Sequence, residues 1–278
     1  MKKLEVLLLI GTLLLYVNTS GQEKFLLEYK YVKGKTYRYQ EESKYQSVQE
    51  ISGQEIKATG STFSSMKMIV QNVSDSGDLT IISSFEDYWV TSKSPYMDTT
   101  MVMKDLLNKD IQTVISKTGR IIGNKLLDTA DTGKDIIGKG DGLYNVYKEF
   151  VRFPDKELNI GDTWKDDRTD TTKGTQMVTR TELVYTLLGI EEKNGHTSLK
   201  AGFSGKTEIS GKMTQMGMEF FMEGSGDTNG TLWFDQKSGI LVAVESTNDR
   251  EMTMAMTGQM QMTIPITSTT TSTFTLME

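Results

Sequence analysis

Between Met252 and Ile266, the apolar residues Met252, Met254, Met256, Met260, Met262, Ile264 and Ile266 all fall on even positions. Thr253, Ala255, Thr257, Gln259, Gln261 and Thr263 lie between them. A strand sends successive side chains to opposite faces, so this spacing predicts one long closing strand, reaching Leu276, with an apolar and a polar face. The apolar face is built largely of methionine, an unbranched, polarisable side chain that adapts to irregular surfaces. Such a face suits three roles: a filled core, the wall of a hydrophobic pocket, or a thioether site for soft Cu(I).

The two-residue period recurs along most of the chain. Phe25, Leu27, Tyr29 and Tyr31 share a face, and Tyr37 and Tyr39 follow the turn at Lys33-Gly34-Lys35. Met66, Met68 and Val70 mark a strand over 64–73, and the turn over 74–78 leads into another over 79–89. Residues 110–122 read as a hairpin about Thr118-Gly119, and 176–190 as a strand leading into the Asn194-Gly195 turn. Further strands are predicted over 199–209, 212–224, 231–235 and 240–246, with turns at Asp227-Thr228-Asn229-Gly230 and Lys237-Ser238-Gly239. The stretch 95–107 fits a short helix or a strand.

One segment breaks the period. Leu143, Val146, Tyr147, Phe150 and Val151 are spaced as the apolar stripe of a helix, capped by Asp141 and ended by Pro154. Three anchors on either side of it occur in the same order. Gly34-Lys35-Thr36-Tyr37 resembles Gly161-Asp162-Thr163-Trp164, the turn at Gly77 resembles that at Gly195, and the segment 115–121 resembles 234–240. The predicted fold is therefore mainly β. It has two related curled antiparallel sheets, as open half-barrels or one continuous open barrel, with a short helical connector or plug. The expected divisions are a signal peptide at 1–21, a first half at 22–123, the connector at 124–153 and a second half at 154–278.

Composition adds a compartment. Lys2 and Lys3, the apolar run 7–17 and the small or polar residues Asn18 to Gly21 have the order of a secretory leader, cleaved after Gly21. The run is too short for a comfortable span of about 20 residues. An exported, periplasmic or extracellular protein is expected. There is no cysteine, which excludes disulfides, thiol catalysis and lipoprotein acylation. The net charge of -6 argues against nucleic acid or an anionic membrane surface as the main partner.

The leader, the long strands, the G-x-T-Trp/Tyr openings at Gly34 and Gly161 and the hairpins at 115–121 and 234–240 together resemble an uncharacterised family of exported bacterial proteins. In architecture that family is similar to the periplasmic lipoprotein carriers of the LolA/LolB kind. The resemblance implies a curled sheet around a helical plug and binding of acyl chains. It transfers no binding residue, and the missing cysteine departs from the lipidated members.

Catalytic groups are sparse. His196 is the only histidine and follows the Asn194-Gly195 turn, with no G-x-S-x-G elbow elsewhere. Asp162, Asp166, Asp167 and Asp170 lack the spacing of a calcium loop and read as solvated loop charge. No phosphate-binding glycine motif occurs, and no cofactor or metal site is expected. The chain thus reads as a non-enzyme that binds a hydrophobic ligand or lipidated partner in the cell envelope. The expected apolar wall is Met252, Met254, Met256, Met260, Met262 and Ile264, facing Tyr147 and Phe150 of the connector. The alternatives are an envelope scaffold and a Cu(I) binder, the latter also drawing on Met213, Met216, Met218 and Met222. A filled space between connector and methionine face means scaffold, and an open apolar cleft means carrier.

Overall fold

The computed structural model describes residues 23–127, 150–172, 176–215, 218–257 and 261–277. They form one continuous antiparallel sheet of twelve strands that does not close. The first half contributes β1 (Thr36–Ile51), β2 (Gln54–Val73), β3 (Leu79–Ser94), β4 (Met97–Val102), β5 (Ile111–Ile115) and β6 (Ile121–Leu126). The second contributes β7 (Thr163–Thr172), β8 (Met177–Lys193), β9 (His196–Gln215), β10 (Met218–Asp235), β11 (Ile240–Thr257) and β12 (Met262–Met277). The order is β6-β5-β3-β2-β1-β12-β11-β10-β9-β8-β7, with β4 paired to β3. The mainly β expectation holds, in its continuous form. The three matching sequence anchors fall at equivalent places in two meanders: before β1 and β7, between β2–β3 and β8–β9, and between β5–β6 and β10–β11.

The strands outrun the core. β2 and β9 have 20 residues each, about 65 Å at the rise of a strand. Hydrophobic burial concentrates at one end, here called proximal, where Tyr39, Val70, Ile81, Ile111, Leu187 and Phe234 are sealed from solvent. Two irregular segments run through this end and fill the curl. Phe25, Leu27, Tyr29 and Tyr31 are all buried, as their alternation requires. They form no strand, however, because the backbone bonds one site at a time. Phe25 exchanges bonds with Leu158, Tyr29 N–H donates to Lys117 O, and Lys30 N–H to Gly239 O. Tyr29 is the hub: it stacks on Tyr31 at 5.7 Å and meets Phe150, Phe153 and Phe234 at 5.6, 5.3 and 5.5 Å.

Several sequence expectations change. Asn124 to Leu126 close β6, and Phe150 to Phe153 have no regular structure, so both described ends of the expected helical connector are non-helical. The rest of that connector, with Leu143, Val146 and Tyr147, lies outside the described residues, as does the expected leader. Residues 95–107 resolve into β4 and a single 3-10 turn at Lys104–Leu106. Asp227 to Gly230 do not turn but run through the middle of β10. The glycines at and beside this segment serve close approach rather than chain reversal: a Cβ at Gly230 would lie 2.4 Å from the Phe203 ring, and one at the preceding Gly226 2.7 Å from Arg250 Cγ. Gly211 likewise lies inside β9, which continues to Gln215.

Candidate functional site

The methionine stretch is not one strand. It folds back between Thr257 and Met262, so that Met252 pairs with Ile266, Met254 with Ile264 and Met256 with Met262. On the other side of β11, Met254 pairs with Met222 and Met256 with Phe220. Paired residues of antiparallel strands point to the same face, so these side chains form one apolar patch across β10, β11 and β12. It lies on the face that carries Tyr39 and Phe274 further along, here called core-side, at the distal end of the sheet. Ile264 is 8 % exposed, whereas Met222, Met252, Met254, Met256 and Met262 remain half-buried. Met252 lies flat over Gly224, where a Cβ would come 2.5 Å from its Cγ.

Phe150 is not part of this patch. It packs on Tyr29 and lines a cavity of about 10 Å³ with Tyr31, Tyr39, Met66, Met68, Leu241 and Phe274, room for a single water at most. Tyr39 pairs with Leu276, and Ile264 is twelve residues further along β12, a separation of about 40 Å. The expected wall of methionines facing Phe150 therefore does not form, because the methionines sit at strand ends far beyond the core. Met260 and Tyr147 lie outside the described residues.

Between core and methionines the core-side face is mostly small and polar, with Tyr45 as its one aromatic on these strands: Ser43, Tyr45 and Ser47 on β1, Ser268, Thr270 and Ser272 on β12, Ser246 and Asn248 on β11, and Thr228 and Gly226 on β10. Arg250 stands where this belt meets the methionine patch, between Gly226 and Ser268. Its Nε is buried without a hydrogen-bond partner, as is Asn248 Oδ1, while Asn248 Nδ2 donates to Thr228 Oγ1. Burial holds the Arg250 guanidinium below its ordinary pKa. Sequence reading passed over this residue. Its signal was present: Arg250 is the one charged residue among the even positions from Val244 to Leu276.

Other titratable groups are structural in placement. His196 Nδ1 is 3.1 Å from Asp235 Oδ2 at the proximal turns, and Asp235 also accepts from the Lys237 and Ser238 backbone. The acidic run is not all solvated loop. Asp162 accepts from the Asn159 N–H, but Asp166 is buried on β7, 3.6 Å from Arg152 and 3.8 Å from Arg168. Desolvation raises its carboxyl despite both arginines. An open groove of about 550 Å³ has Lys57, Lys206, Asp227, Asp249 and Glu251, which alternate to the opposite face, and also Arg250 among its residues, a mixed-charge surface.

A family of unknown function (DUF6263) matches residues 145–241. The match takes in β7 to β10, with Met222, and stops at the start of β11, short of Arg250 and of the methionines of β11 and β12. No curated protein matches the chain. Among solved structures, the crystal structure of Pseudomonas aeruginosa OccK5 (OpdH) aligns with 88 % of this chain and 99 % of its own, at 7 % identity and a TM-score of 0.29. A likeness that low carries no argument about fold or function.

Proposed function

We propose that this is an exported, non-enzymatic binding protein that holds a hydrophobic ligand, or the acyl chain of a lipidated partner, on the distal methionine face. The observation that carries this reading is the contiguous patch of Met222, Met252, Met254, Met256, Met262, Ile264 and Ile266, which is left half open while the proximal apolar residues of the same face, such as Tyr39, Leu232 and Phe234, are packed away. Each methionine or isoleucine fully covered by a ligand contributes about 1.5–3 kcal/mol, and flexible thioethers fit chains of varied shape. The curled, open sheet is of the open half-barrel kind expected from the sequence pattern, and the ligand surface lies at its strand tips. Delipidated protein incubated with envelope lipid extract and examined by native mass spectrometry is expected to carry one bound lipid. Recovery of bare protein alone would rule the reading out.

A scaffold role is the second reading, favoured by the proximal end, where only about 10 Å³ is left between Phe150 and its neighbours. It predicts that replacing Met254 and Met256 by threonine leaves every interaction of the protein unchanged.

A further inference from the structure

The geometry points to Arg250 as the headgroup anchor of an anionic amphiphile whose chain lies along Met252, Met254, Met256 and Ile264. This rests on the apolar-ligand reading and adds the chemistry of the ligand's other end. On the core-side positions of β9 to β12, Arg250 is the only charged side chain among the described residues, and the charge on that face of β8, Glu192, lies at the proximal end opposite Thr197. Its cross-strand neighbours are Gly226 and Ser268, neither able to balance it. The closest acid on the same face of the adjoining β1 is Glu41, opposite Phe274, six residues or about 20 Å along β12 from Ser268.

A cation taken out of water without a counter-ion is costly, and one removed by burial alone invites an anion. The buried, unpartnered Nε supplies a charged donor, and guanidinium geometry suits a carboxylate or phosphate. Asn248 Oδ1, two residues away on the same face and also unpartnered, accepts from a hydroxyl or N–H of the same headgroup. On the other side of Arg250 the apolar track begins at once with Met252. It extends through Met256, six residues or about 20 Å from Arg250, which matches an extended acyl chain lying along the strand. The order is head, then tail, on one face.

The test titrates three twelve-carbon amphiphiles into the full chain, below micelle-forming concentrations, by isothermal calorimetry: dodecanoate, lauroyl-lysophosphatidylglycerol and the neutral dodecyl maltoside. Both anionic probes are expected to bind about tenfold tighter than the neutral one, the size of one charge-assisted hydrogen bond. Arg250→Gln and Arg250→Met bring them to the neutral level, while Arg250→Lys retains part of the preference. Arg250→Met also removes the buried charge, so its melting temperature is expected not to fall, which separates lost binding from lost fold. Asn248→Ala weakens the hydroxyl-bearing phospholipid but not dodecanoate if the natural source is a phospholipid, and leaves both unchanged if it is a fatty acid. Undiminished anionic preference in both Arg250→Gln and Arg250→Met overturns the assignment. If Met254→Thr/Met256→Thr then abolishes binding of all three probes, the apolar-ligand reading survives alone. If the full chain binds none of them, or covers the patch by self-association without amphiphile, both fall.

Discussion

Met252 lies across Gly224 on the neighbouring strand, and the glycine is what lets it lie there. A Cβ at Gly224 would come 2.5 Å from Met252 Cγ and 2.6 Å from Glu251 O. The first atom belongs to a flexible side chain and can move, but the second is backbone and cannot move without bending β11. Gly224→Ala is therefore expected to lower stability by about 1–3 kcal/mol, the range for overpacking. The double variant with Met252→Ala recovers only part of this loss, because the carbonyl remains. Urea midpoints of the three variants check both statements.

Gly119 makes the corresponding contact at the proximal end. Its φ is +86°, and a Cβ there would lie 2.2 Å from Val151 O. Gly119→Ala combines an unfavourable backbone conformation with a backbone clash, so a loss of about 2–3 kcal/mol is expected. The disturbance should reach the neighbouring bond from Phe153 N–H to Thr118 O, 2.9 Å long. Hydrogen exchange at Phe153 is expected to accelerate, whereas exchange in the centre of β11 stays as it was.

Tyr31 and Tyr39 share a buried hydroxyl pair 2.6 Å apart, and Tyr39 Oη donates to Leu241 O at 2.8 Å. Burial raises both phenols above their ordinary value. A folded-state pKa above the unfolded one means that the neutral phenols contribute full stability below the unfolded pKa. That contribution falls as pH rises towards the folded value, so stability is expected to decline above about pH 10. Tyr31→Phe makes the decline shallower. Tyr39→Phe removes the donor to Leu241 O as well, and costs about 1–3 kcal/mol at neutral pH. Denaturant titrations at several alkaline pH values read both effects.

Half-buried strands were legible because alternation survives in sequence wherever one face is buried, as at Tyr37 and Tyr39 or Met66 to Val70. The hairpin inside the methionine stretch was not. Met256 and Met262 pair across the turn and are both even, so the reversal leaves the parity of the pattern intact and one strand looks the same as two. Asp227 to Gly230 misled for the opposite reason: turn-forming residue types occupy a strand because Phe203 and Arg250 lie over its glycines. The placement of Phe150 needed strand length and register together, neither of which periodicity supplies. Arg250 was detectable as a lone charge in an apolar and small-polar phase, but its lack of a partner is a property of the folded sheet.

The account's central claim is that the distal methionine face, and not the packed proximal end, receives the ligand. The chain contains 17 methionines, and labelling their methyl groups with carbon-13 lets each end of the sheet report separately by NMR. On titration with a twelve-carbon anionic amphiphile, the resonances of Met222, Met252, Met254, Met256 and Met262 are expected to shift and saturate together. Met66 and Met68, buried beside Tyr39, should stay in place. Shifts at Met66 and Met68 with the distal methyls unmoved would contradict the account.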